Sequence, residues 1–189
     1  DIRSYWLFLI VSSAIFIFAA NMLNSLALYL SPVALLIVFF YSFTKRFTAY
    51  SHFWLGLAIS IAPVGAWVAI REEISFSSLI LGAAVIFWLT GFDIIYACQD
   101  VETDRQNHLH SIPQALGVHR ALLLARLSHA FMVGFLLVLL LSPLLGTLYL
   151  LGVFAVASLL AYEHSLVKGD DLTKINFAFF NVNGIISVL

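Results

Sequence analysis

The densest polar stretch of the chain reads GFDIIYACQDVETDRQNHLHSIPQALG, Gly91 to Gly117, and it follows directly on a long apolar run. Carried on as a helix, it places Asp93, Asp100 and Asp104 at i, i+7 and i+11, stacking three carboxylates along one face with Ala97 between them. Like charges on one stripe repel. An acid near the bilayer centre also costs about 2.5–3.5 kcal/mol on insertion scales, so such residues face a cavity or a partner. A divalent cation relieves both problems, and Mg²⁺ suits a pair of carboxylates that shares it with waters and phosphate oxygens. The spacing therefore points to a magnesium–diphosphate site at the membrane surface. The competing reading is a solvated loop face, with Asp100, Glu102 and Asp104 balanced by Arg105, Lys45 or Arg46. Asp93 fits that reading least, because it lies inside the apolar run with no basic residue near it in sequence.

A basic partner is available in YSFTKRFTAYSHFWLG, Tyr41 to Gly56. Lys45 as a point charge and Arg46 as a planar fork could meet a diphosphate and stabilise it as a leaving group. Interfacial anchoring of both side chains is the plainer alternative. Tyr41 and Tyr96 each lie one helical turn from a charged candidate, Lys45 and Asp100, and an aromatic face there could stabilise a cation. His108 and His110 invite a zinc reading, but tetrahedral zinc wants further His or Cys ligands and the segment offers one cysteine, Cys98. Ser111, Pro113 and Gly117 read as a turn into the next apolar run.

These residues need elements to hold them, and the composition says which. Of 189 residues, 62% are hydrophobic and 10% charged, and the mean hydropathy is +1.03. Soluble domains carry roughly 25% charged residues, so a soluble globular fold is excluded. A net charge of −1 gives no bulk attraction for nucleic acid. A span needs about 20 apolar residues. Seven stretches qualify: Ser4 to Ala20, Ser25 to Tyr41, His52 to Ile70, Phe76 to Ala97, Ala121 to Leu141, Leu144 to Tyr162, and a last one from near Ile175 that the chain end cuts off. Continuous rather than alternating apolar runs predict an all-α polytopic bundle in the lipid bilayer. Pro32, Pro63 and Pro143 fall in or beside these runs, as kinks or helix starts.

If the spans alternate, the loops after the second, fourth and sixth share a side with the N-terminus. Lys45, Arg46, Arg105, Arg120, Arg126, Lys168, Lys174 and Arg3 then fall on or near that side, and Arg71 alone among the nine basic residues falls opposite. The asymmetry predicts a multi-pass cell (inner) membrane protein with those loops cytoplasmic.

The pattern D-x-x-Y-A-x-x-D-x-x-x-D from Asp93 to Asp104, with L-H-S-I-P at Leu109 to Pro113, resembles the second aspartate-rich motif of the UbiA superfamily of intramembrane prenyltransferases, particularly its 4-hydroxybenzoate polyprenyltransferase-like members. Y-x-x-x-K-R at Tyr41 to Arg46, L-G at Leu55 to Gly56, P-x-G at Pro63 to Gly65 and N-x-N-G at Asn181 to Gly184 resemble it too, in the expected order. The resemblance implies a single transmembrane domain over residues 1–189, corresponding to the third through ninth helices of a nine-helix fold. It also implies a Mg²⁺-dependent enzyme moving a polyprenyl group from its diphosphate to an aromatic acid acceptor in quinone biosynthesis. Asp100 and Asp104 would bind the metal, and Lys45 would neutralise the leaving group. Arg46, Asp93 and Arg105 would attend the substrate, and Tyr41 and Tyr96 would line the cavity. One departure stands out: the family's first aspartate-rich motif has no counterpart before Asp93, where Asp1 is the only acid outside Glu72 and Glu73. The expectation is that the first two helices precede this stretch. A transporter or channel working through Asp93 is the alternative, and it predicts inverted repeats and acids near the midplane of several helices.

Overall fold

The computed structural model describes residues 1–142 and 145–188. Six helices are long and apolar enough to cross a membrane among the described residues: α1 (Ile2–Leu23), α2 (Ser25–Thr44), α3 (Ser51–Arg71), α4 (Phe76–Ala97), α7 (Val118–Leu139) and α8 (Thr147–Leu166). Two short helices, α5 (Val101–Gln106) and α6 (Ile112–Leu116), lie in the polar segment between α4 and α7. The last apolar stretch is α9 (Ile175–Phe177), a π turn (Ala178–Val182) and α10 (Asn183–Ile186). It begins where the last, cut-off span was expected, and a π turn interrupts it. Leu144, the expected start of the sixth span, and Pro143 lie outside the described residues.

Local chemistry sets the boundaries. The Asp1 carboxylate accepts from the Arg3 N–H at the start of α1. Asn24 separates α1 from α2 with an extended backbone; its side-chain oxygen accepts from the Ala27 N–H at 2.8 Å, and its amide donates to the Val68 carbonyl at 2.9 Å. One residue thereby caps α2 and ties it to the far end of α3. Ser75 and Ser78 form a reciprocal capping pair that starts α4. Pro32 and Pro63 both lie inside helices, α2 and α3, and neither begins one. Pro113 does sit in a first turn, that of α6, where its missing N–H costs nothing. Gly117 follows α6 with φ +81° and redirects the chain into α7. The expected turn at Ser111 to Gly117 is therefore a short helix closed by a glycine.

The most buried span, α4, packs against α3 on one side and α7 on the other. Small residues set the spacing. A Cβ on Gly56 of α3 would stand 2.5 Å from the Ile86 carbonyl oxygen and 3.0 Å from its Cα, and one on Gly91 of α4 would meet the His129 ring of α7. Backbone cannot retreat as a side chain can. Gly56→Val is therefore expected to force α3 and α4 apart at a cost of about 1–3 kcal/mol. A thermal melt in detergent should show a clear drop in midpoint, whereas Gly65→Ala, with nothing within 4 Å of the added carbon, should leave it close to wild type. The outer faces are apolar: Phe8 is 75% exposed, Tyr29 75% and Leu148 85%. In water that surface would drive aggregation, and in a bilayer it is simply solvated by lipid.

Candidate active site

The polar segment does not continue α4 as a helix. The helix ends at Ala97, a turn carries Cys98 to Asp100, and α5 begins at Val101 with Asp100 in the N-cap position, φ −96° and ψ 3°. The expected i, i+7, i+11 stripe on one helix is thereby corrected. Cys98 explains part of the break's location: its side chain is buried in the core with Ile94, Ile95 and Ile112, and its thiol donates to the Ile94 carbonyl at 3.3 Å. Burial pushes the Cys98 thiol up to about 12, so it stays a protonated packing residue.

The break nonetheless leaves the acids together. Asp104 is almost wholly buried, and the Lys45 ammonium reaches both of its oxygens, Oδ1 at 3.1 Å and Oδ2 at 3.2 Å. The Asp100 carboxyl is held above the usual carboxylate range, chiefly by burial; Lys45 works against that shift, and Asp104 and Asp93 add to it. Lys45, Asp100, Asp104 and Asp93 therefore form one electrostatic unit. The α2–α3 loop and the acidic segment are also joined through backbone, the His110 N–H donating to the Lys45 carbonyl at 2.7 Å. At the same end, His119 of α7 meets Asp170 of the α8–α9 loop at 3.2 Å. The three loops expected to share a membrane face do so.

Asp93 lies in the last turn and a half of α4, and its Oδ2 is 2.7 Å from Nδ1 of His52. The opposite ring nitrogen, Nε2, takes the Ile112 N–H at 3.3 Å. That donor fixes Nε2 as the acceptor, so the ring proton belongs on Nδ1 and is donated to Asp93. His52 is fully buried. It went unremarked in the sequence as the first residue of an expected span. The available signal was an ionisable side chain at the edge of an apolar run on the same face as the acids.

The remaining expected site residues divide. Tyr41 is half-buried in the last turn of α2. Tyr96 packs on Phe179 with ring centroids 4.2 Å apart, and Phe92 stacks on the same ring at 4.0 Å, giving an aromatic shelf that includes two residues not singled out in the sequence. Arg46 is exposed, its guanidinium 5.5 Å from the centre of the Phe43 ring. Arg105 pairs with Glu102 at 3.3 Å on the exposed side of α5, so the structure brings it to Glu102 rather than to Lys45 and Asp104. His108 stands in a left-handed turn, φ 54°, after α5. Among the described residues no three His, Cys, Asp or Glu side chains converge as a ready-made metal cage.

A second polar cluster lies within the bundle. The Glu163 side chain of α8 is fully buried and accepts from Asn183 at 2.6 Å; Asn183 in turn accepts from the Trp88 indole at 3.1 Å. His129 contacts His164 at 3.0 Å and the Trp88 carbonyl at 3.2 Å. Glu163 was expected at a span end; it is in the last turn of α8, but packed inside. These bonds hold the C-terminal stretch to α4 and α8, and tie α7 to the same two helices.

Helical spans around an acidic face with one buried lysine–aspartate pair define a multi-pass membrane protein built to handle charge at one rim of its bundle. The chain belongs to the UbiA prenyltransferase family, which it matches over residues 2–185. It is 32% identical over 160 residues to a 4-hydroxybenzoate octaprenyltransferase of Marinobacter nauticus, covering 85% of this chain and 54% of that protein. It is 30% identical over 189 residues to one of Vibrio vulnificus, covering 97% of this chain and 64% of that protein. The fold superposes on the apo structure of a UbiA homolog from Aeropyrum pernix K1 with a TM-score of 0.86 and 28% identity, over 100% of this chain and 71% of that one. The chain thus spans between half and two thirds of the length of these two relatives.

Proposed function

We propose that this chain forms the diphosphate-handling part of a membrane enzyme that transfers a polyprenyl group from its diphosphate to an aromatic acid of the 4-hydroxybenzoate type, in quinone biosynthesis. The observation that carries the reading is the ion pair between Lys45 and Asp104, 59 residues apart in sequence, with Asp100 and Asp93 beside it. Three carboxylates against one ammonium leave a surplus of negative charge, which is the environment a cation would relieve. Their oxygens are the hard donors Mg²⁺ prefers, and a site of few carboxylates suits a metal that keeps waters and phosphate oxygens as its other ligands. Asp100 and Asp104 are the residues that would hold it. When bound, Mg²⁺ would supply positive charge to the diphosphate as the allylic carbon–oxygen bond breaks and the electron pair leaves with the oxygen.

The chain's own residues do the rest. Lys45 meets negative charge developing on the departing diphosphate from a half-buried position, where a fixed cation is worth more than in water. Asp93, Arg46 and Arg105 are assigned to the substrate-facing rim, Arg46 and Arg105 in its outer, exposed part. Tyr41, Tyr96 and the Phe92–Phe179 shelf offer π faces to an allylic cation and exclude water from it. The aromatic acceptor's ring attacks the cation, forming the carbon–carbon bond, and then loses its ring proton to the departed diphosphate. The bias of basic residues supports placing this rim in the cytoplasm, on the inner face of the cell membrane.

Membranes containing the intact protein, given a labelled polyprenyl diphosphate and a panel of aromatic acids, should yield a labelled adduct with a 4-hydroxybenzoate-type acid and lose it on adding EDTA. No adduct with any acid in the presence of Mg²⁺ would overturn the reading.

A further inference from the structure

We propose that His52 is a positioning residue that fixes the Asp93 carboxylate and the entry to α6 in one geometry beneath the diphosphate site. The inference rests on the reading of that site given above. Three observations converge on it. His52 has no exposed surface, yet both ring nitrogens are used, by groups 41 and 60 residues away. Its partners belong to different elements, α4 and α6, so a single ring on the first turn of α3 sets where both sit. The Asp93 side chain keeps a quarter of its surface exposed, and the contact to His52 uses Oδ2. One oxygen is thereby anchored in the protein while part of the carboxylate stays exposed.

A purely structural histidine would need neither the carboxylate nor the orientation. With Nε2 taken by the Ile112 N–H, the ring offers Asp93 a donor at Nδ1, which holds the carboxylate in one orientation. The second partner matters equally. Ile112 follows Ser111, and His110 just before it is bonded to the Lys45 carbonyl, so the segment His52 grips is the one that brings Lys45 to the acids. Loosening the ring would let Asp93 turn and the acidic segment drift from Lys45.

The test measures initial rates in membranes as a function of Mg²⁺, polyprenyl diphosphate and aromatic acid for His52→Leu, His52→Gln, Asp93→Asn and the double variant His52→Leu/Asp93→Asn. Groups that orient first ligands are typically worth about 10–100-fold. His52→Leu should therefore raise the Mg²⁺ requirement and the diphosphate KM by at least about tenfold, with the acceptor KM nearly unchanged. His52→Gln, which keeps one donor and one acceptor, should stay within about threefold of wild type, and the double variant should be no worse than Asp93→Asn. Wild-type Mg²⁺ and diphosphate dependence in His52→Leu, failure of Gln to rescue, or additive losses in the double variant would each overturn the role. If His52→Leu does not reach the membrane folded, judged by its melting midpoint, Asp93→Asn decides: a tenfold rise supports the proposal and wild-type behaviour overturns it. A wild-type enzyme indifferent to Mg²⁺ would strike the site reading itself and this role with it, whereas a Mg²⁺-dependent wild type with an indifferent His52→Leu strikes this role alone.

Discussion

Asp100→Asn and Asp104→Asn are each expected to cut prenyl transfer by at least about 10²–10³-fold while leaving a folded, membrane-inserted protein. That is the loss seen when one preorganised electrostatic group is removed from a reacting centre. The two residues reach this result from different starting points. Asp104 is buried and paired with Lys45, whereas Asp100 is raised chiefly by burial, with Lys45 opposing that shift and Asp104 and Asp93 adding to it. The isosteric amides preserve shape and remove charge, which separates electrostatics from packing. Turnover of labelled polyprenyl diphosphate at saturating Mg²⁺ checks the prediction, and wild-type rates in both variants would remove the proposed site.

Lys45→Met is expected to be inactive to a similar degree, and in addition to destabilise the protein more than Asp104→Asn does. The asymmetry follows from exposure: the lysine side chain is 34% exposed and the aspartate 4%. Without Asp104, Lys45 can turn its ammonium to water or to headgroups; without Lys45, Asp104 remains buried with no counter-charge. Breaking one side of a fully buried pair costs 3–5 kcal/mol, and the exposure of the lysine brings the expectation here down to about 1–3 kcal/mol. Melting midpoints of the two single variants and of Lys45→Met/Asp104→Asn should rank Lys45→Met lowest, with the double variant recovering most of the loss. Equal midpoints for the two single variants would show that the pair is solvated and lies outside the packed rim.

The sequence made the spans legible because bilayer thickness sets their length and continuous apolarity marks them, and Phe76–Ala97 falls where the composition puts it. Lys45, Asp100 and Asp104 were legible as a group because charge in a chain this apolar is scarce. The mistakes have physical causes. The three acids were laid on one helix, and the turn at Cys98 to Asp100 breaks it; the acids meet through tertiary contact with Lys45 instead. His52 was hidden because its two partners lie 41 and 60 residues away and no local pattern announces them. Arg105, expected at the substrate, stands on a six-residue helix where its nearest partner is Glu102, a pairing its neighbours in sequence also allow. Glu163 looked terminal because it stands three residues from the end of α8, and its burial depends on Asn183 arriving from another element.

That arrival depends on the π turn at Ala178–Val182, where the helix carries one residue more per turn than its α neighbours. A turn that carries one residue more closes nearly the same rotation, so losing one residue there and tightening to an α turn would leave Asn183 at nearly the same azimuth. A further residue added to that turn finds its slack already used; in an α-helix each residue advances the azimuth by about 100°, and the Asn183 amide would leave both the Glu163 carboxylate and the Trp88 indole. Length polymorphism should therefore be tolerated at that single coil in the direction of shortening by one and rejected in the direction of lengthening.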